Sequence, residues 1–308
     1  GKHVLEEEKE GGTFTGLGRE QGGPLSLARL LAGALAAAMA LSMTACGSSS
    51  GSDDSKAASG GDGASAGSYK VGVVQLMQHV ALDAATKGFQ DKLTELVEAD
   101  GGKVEINVQN ASGESANCST IVNGFVSAND DLIMANATAA LQAAQAATSD
   151  IPILGTSVTD YGTALGISDW TGKTGTNISG TTDLAPLDGQ ADMLKELFPD
   201  AKNVGLLYCS AEPNSKYQID TIKPLLEAQG YTCTEFAFTD SNDVASVAQN
   251  AASGSDVIYI PTDNTAASCT EAIANVVIPA KVPVIAGEQV FFYQHYTKKR
   301  KGNFKITT

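Results

Sequence analysis

Carboxylates, amides and hydroxyls that closely follow short apolar runs carry the chemistry this chain offers. Asp160 and Asp263 each stand a few residues after such a run. A carboxylate there can hold an ammonium group, and a charge-assisted hydrogen bond contributes about 1.5–3 kcal/mol. Either Asp equally suits capping of the helix that follows. Glu212 and Asn214 occupy the matching place after another run, and Asn264 adjoins Asp263. Thr138, Thr156 and Ser157 open the segments after two further runs. A helix start presents free N–H groups and partial positive charge, enough to hold a carboxylate without Arg or Lys. Thr or Ser at such a start also serves as a plain cap. Gln75 and His79 follow the first run and belong on the same wall. Tyr161 and Trp170 can stack on an aromatic ring, or Trp170, the sole tryptophan, can simply cover a crossing between halves.

Catalysis has less support. There is no GxSxG elbow, phosphate-binding loop, HExxH or tight GxGxxG after the first run, and Gly72 and Gly88 are too far apart for a dinucleotide turn. Nothing brings a nucleophile beside a base, with only His3, His79 and His295 available. Cys118, Cys209, Cys233 and Cys269 form no CxxC pair and no metal spacing. They allow three disulfide pairings, or free buried thiols. The expectation is a protein that is not an enzyme and carries no cofactor and no metal.

The elements that must position these residues alternate regularly. Lys70–Leu76, KVGVVQL, is short, continuous and β-branched, the pattern of a buried parallel strand. Leu82–Val97 repeats apolar residues at three- and four-residue steps, so a helix follows. Strands are predicted at Val104–Val108, Asp131–Ala135 and Ile151–Leu154, with helices at Ala116–Ala128 and Ala139–Thr148. From Thr156 to Asp183 the rhythm lapses into a Gly/Thr-rich loop, of the kind that carries function or a crossing between domains. It then restarts with helices at Gly189–Phe198, Lys216–Ala228, Val244–Ala252 and Thr265–Val277. The intervening strands are Asn203–Tyr208, Thr232–Phe238, Asp256–Ile260 and Val282–Ala286. Pro224 should kink its helix or mark the start. Two βα series predict an α/β protein of two Rossmann-like lobes, 69–182 and 183–288, whose strand ends face a common gap.

The ends differ in character. Arg29 precedes Leu30–Met43, an uncharged Leu/Ala run too short to span a bilayer and suited to a signal peptide. Met43-Thr44-Ala45-Cys46 resembles the cleavage box of a bacterial lipoprotein, which would make Cys46 the lipidated first residue after removal of 1–45. Residues 46–68 are Gly/Ser-rich and expected to be a flexible tether of roughly 25 Å. About 240 residues remain, and the net charge of −15 argues against nucleic acid as a partner.

Several segments, in order, resemble extracytoplasmic solute-binding proteins of ABC importers, in the branch for tryptophan and related aromatic amino acids. They are Val71–His79 with Ala81–Asp83 and Lys87–Phe89, then Asn136–Ala140, Thr156–Asp160, Asn177–Thr181, Ser210–Ser215 and Ile260–Thr265. The resemblance implies a type I periplasmic-binding fold, an amino-acid ligand, a permease and an ATPase as partners, and a monomer tethered outside the cytoplasm through Cys46. For such a ligand Asp160 and Asp263 are the ammonium candidates. Thr138, Thr156 and Ser157 are the carboxylate candidates, with Gln75, His79, Glu212, Asn214 and Asn264 alongside. A receptor subunit reporting ligand to a sensor, or a binder of sugar or another small solute, is the alternative on this fold. The tail 289–308 departs from the family, which continues with a further crossing and a long helix.

Overall fold

The computed structural model describes residues 67–288, all within one compact unit that begins at residue 63. The predicted leader, Cys46, the tether up to residue 66 and the tail 289–308 lie outside the described residues.

Two all-parallel sheets carry the described chain. The first contains β1 (Ser68–Gln75), β2 (Lys103–Asn110), β3 (Leu132–Asn136), β4 (Ile153–Val158) and β5 (Ile178–Thr182), in the order β2-β1-β3-β4-β5. Its helices are α1 (Val80–Ala99), α2 (Ser115–Ser127), α3 (Thr138–Ala147) and the short α4 (Tyr161–Leu165). The second contains β6 (Asn203–Cys209), β7 (Thr232–Phe238), β8 (Val257–Ile260) and β9 (Val284–Ala286), in the order β7-β6-β8-β9. With it go α5 (Leu187–Leu197), α6 (Pro213–Ala228), α7 (Val244–Gly254), α8 (Asn264–Ser268) and α9 (Thr270–Ala280).

Burial explains why the central strands read as unbroken apolar runs. Every residue of β3 and β8 is buried, because helices cover both faces of a parallel sheet. Alternate residues of β6 divide between two cores. Val204, Leu206 and Tyr208 pack with Leu194 of α5 and Ile222 of α6, whereas Leu207 and Cys209 pack with Ala248 of α7 and Ile273 of α9. Each fully buried Leu or Ile of this kind contributes about 1.5–3 kcal/mol. The edge strand β2 is largely exposed.

Three local expectations are corrected. The segment 156–183 is not irregular throughout, since it holds α4 and β5. Both are five residues long, and ISGTT has one buried apolar residue, too little for a periodicity to show. The helix expected over Thr265–Val277 breaks at Cys269 into α8 and α9, because Cys269 leaves helical geometry at φ −110°, ψ 19° while the apolar spacing runs on. α6 starts at Pro213, whose fixed φ suits a first helical turn, and continues through Pro224. The four cysteines among the described residues are free thiols.

Candidate functional site

In both sheets a strand is flanked by neighbours reached in opposite directions: β1 between β2 and β3, β6 between β7 and β8. Helices leave such a point on opposite faces, so the turns beyond the strand ends part and leave a crevice. The turns after β1, β3, β6 and β8 carry most of the residues singled out from the sequence.

Beyond β1, Gln75 is committed internally. Its Nε2 donates to Met77 O (2.8 Å) and Asp83 Oδ1 (2.7 Å), and its Oε1 accepts from Thr86 Oγ1 (2.5 Å). Asn136, the last residue of β3 and fully buried, donates to Leu82 O and Thr86 Oγ1, both at 2.9 Å. Sequence reasoning quoted Asn136 but gave it no role; it locks β3 to α1. His79 precedes α1, and its backbone oxygen accepts Asp83 N at 2.9 Å. The residue is 6% exposed, with Nε2 3.1 Å from Asn264 Oδ1 and Nδ1 buried without a partner. Burial holds its pKa below the ordinary value, against the pull of Asn264, Glu212 and Asp83.

The start of α3 is open. Ala137 stands at its cap position with φ +90° and supplies no side-chain acceptor, so the N–H groups of the first turn around buried Thr138 are not capped from within. Ser157, at φ +54°, lies where the β4–β5 register shifts, and Thr156 O accepts Ala137 N at 3.0 Å. Two non-glycine residues in the left-handed region on adjacent strand ends cost about 1–3 kcal/mol each. Strain of that size persists where surrounding structure enforces it, and it clusters at binding sites.

Asp160 caps α4, its Oδ1 accepting Thr163 N at 2.6 Å. Tyr161 and Trp170 stack on each other at 6.2 Å between centroids and 14° between planes. The Tyr161 hydroxyl donates to Thr181 O. It lies so close over Gly155 and Gly180 that a Cβ there would come within 2.4 and 2.0 Å of it.

Beyond β6 and β8 a second network gathers around Glu212. Its Oε1 accepts Thr265 N and Thr265 Oγ1, both at 2.7 Å. Its Oε2 accepts Asn264 Nδ2 (2.8 Å), Asn214 Nδ2 (3.0 Å) and Asn264 N (3.1 Å). Asn214 also donates to Thr262 O at 3.3 Å. Buried Gln218, unforeseen from sequence, pins the same turn by donating to Thr262 O and accepting Thr262 N. Asp263 is fully buried, with Oδ1 accepting Ala266 N and Oδ2 accepting Cys209 N, each at 2.7 Å. Burial, then the Glu212 charge, raises its pKa, while the backbone donors oppose. Asp263 thus caps α8 from within and Glu212 caps it from across the sheet.

Two acidic residues here had no signal in the sequence. Glu288 follows β9 by two residues, and Gly287 N donates to Ile260 O at 2.8 Å, which fixes that turn against β8. Desolvation raises the Glu288 carboxyl to about 8, assisted by the charges of Asp183, Glu212 and Asp263. Asp183 is solvent-exposed as a residue, yet desolvation raises its pKa too, against a hydrogen bond from Thr159. Protein thus crowds the Asp183 carboxyl although the residue as a whole reaches solvent. The four ion pairs among the described residues involve none of Asp183, Glu212, Asp263 and Glu288. Chemically, this group of carboxylates favours a cation.

Against known proteins, the ABC transporter substrate binding protein family matches residues 70–293. The chain belongs to this family. A tyrosine-binding protein of Clostridioides difficile is 35% identical over 263 residues, 85% of this chain and 74% of that protein. A Streptococcus pneumoniae ABC domain solved in complex with L-Trp is 33% identical, with TM-score 0.67 over 72% of this chain and 75% of that one. A conserved domain protein from Vibrio cholerae is also 33% identical, with TM-score 0.68 over 73% and 76% of the two chains. This substrate-binding protein has the type I periplasmic-binding fold, and binding rather than catalysis is the work of its family.

Proposed function

We propose that this substrate-binding protein captures an aromatic amino acid between the two sheets and delivers it to an ABC permease driven by its ATPase. The single observation carrying the reading is the pairing of sites: the crevice ends of both sheets meet, with His79 beyond β1 in hydrogen-bond contact with Asn264 beyond β8. Residues 69–182 and 183–288 then act as two lobes around a cleft, and closure traps the ligand. The relatives named for tyrosine and solved with L-Trp support the ligand class.

A zwitterion needs opposite partners for its two ends. The open start of α3, with Thr138, Thr156 and Ser157 around it, suits the carboxylate. The neighbouring carboxyls of Glu288 and Asp183 suit the ammonium, since neither is paired with Lys or Arg among the described residues and a cation there would favour their ionised forms. Asp160 and Asp263 contribute by setting α4 and α8, as Glu212, Asn214 and Asn264 do for the turns beside them. The protein works outside the cytoplasm as a monomer tethered through a lipid on Cys46. No helix among the described residues is long and apolar enough to cross a membrane, so attachment by that anchor is consistent with the fold.

Calorimetric titration of the folded chain with L-tyrosine, L-tryptophan and L-phenylalanine, with L-leucine and D-tryptophan for contrast, tests the reading. Saturable heat from at least one aromatic L-amino acid is expected. Heat from none of them sinks it.

A further inference from the structure

We infer that the chain His79–Asn264–Glu212 is a pre-set latch that holds the two halves together and governs how long a ligand stays. The contact joins residues 185 apart in sequence, the first at the start of α1 and the second at the start of α8. Its direction follows from the network. Asn264 Nδ2 donates to Glu212 Oε2, which turns Oδ1 of the same amide toward His79. The imidazole therefore donates through Nε2–H, and burial with no acceptor at Nδ1 favours the neutral form with Nδ1 bare.

The acceptor is fixed independently of the bond. Glu212 grips the start of α8 through Asn264 N, Thr265 N and Thr265 Oγ1, so the amide is oriented without His79. The His79 backbone is fixed by the first turn of α1, whose Asp83 N bonds its carbonyl, while the ring has only the Asn264 bond to orient it. The amide therefore loses little side-chain freedom when the halves meet, and the ordering cost falls on the imidazole. The latch is also incomplete, because the buried Nδ1 has no partner and its desolvation opposes the closed arrangement. A bond preorganised on one side and opposed by an orphaned nitrogen is a contact whose making or breaking a ligand can tip.

The inference rests on capture between the halves, and the test separates the two ideas. In the full-length chain without ligand, nitrogen-15 spectra should show His79 as the Nε2–H tautomer with a slowly exchanging ring proton. Asn264→Leu and His79→Leu, both checked for folding by circular dichroism, should widen the ligand-free molecule in small-angle X-ray scattering. Stopped-flow dissociation of L-tyrosine or L-tryptophan should be about three- to tenfold faster in each variant, with association little changed. The double variant should be no faster than the worse single one. An Nδ1–H tautomer, unchanged scattering from both variants, or additive rate effects would overturn the latch. If no amino acid binds, the proposed function falls while the spectra and scattering still decide the latch.

Discussion

Asp160 and Asp263 look interchangeable in the sequence, each an Asp a few residues past a strand, yet their surroundings give them unequal weight. Asp160 accepts one backbone N–H at the start of a five-residue helix. Asp263 is fully buried and accepts two, one from its own helix and one from Cys209 at the end of β6. Removing Asp263 strands both donors in the interior. Asp263→Ala should therefore lower unfolding free energy by about 2–4 kcal/mol, whereas Asp160→Ala should cost about 1 kcal/mol. Denaturant titration checks both, and equal losses would refute the assignment. Such differences are illegible in sequence because a cap is read locally, while Cys209 lies 54 residues away. The role of Glu212 was hidden for the same reason, since its donors come from Asn214, Asn264 and Thr265.

At the scale of elements, long apolar strands and amphipathic helices were legible to within a few residues, because burial on both faces writes itself into composition. Short elements were not. α4 and β5 exist through tertiary contacts: Tyr161 leans across Gly155 and Gly180, and its hydroxyl holds Thr181 O. A methyl group at Gly180 would meet that hydroxyl at 2.0 Å and Gly155 O at 2.3 Å. Gly180→Ala should cost about 1–3 kcal/mol and unstack Tyr161 from Trp170. As the sole tryptophan, Trp170 gives an unambiguous readout. Its emission should shift together with a lower thermal midpoint. A variant with wild-type emission and midpoint would show that this corner is slack.

The alternation of strands and helices exposed the doubly wound plan of the whole molecule, and the plan placed Gln75, Thr138, Glu212 and Asp263 at the crevice ends. It could not show the group of neighbouring carboxyls, which forms only once β5, β6, β8 and β9 are assembled and bring Asp183, Glu212 and Asp263 near Glu288. That group predicts a proton linkage. Glu288 titrates at about 8 in the free protein, so much of it is protonated at pH 7. A ligand ammonium favours the ionised form and lowers that pKa, so binding releases a proton. Affinity should fall as pH drops below about 8 and level off once it passes below the bound-state pKa. Calorimetry at pH 7 in two buffers of different ionisation enthalpy should detect up to one proton released. Glu288→Gln should abolish most of it, and undiminished release would remove Glu288 from the ammonium site. Glu288 lies at the far end of the described chain from Gln75, and the His79–Asn264 bond spans most of the distance between them. In a nascent chain the proposed pocket is thus complete only once β9, the last strand among the described residues, has docked. Solute bound there cannot template the early stages of folding, and the parallel pairings of both sheets are expected to make folding slow before binding begins.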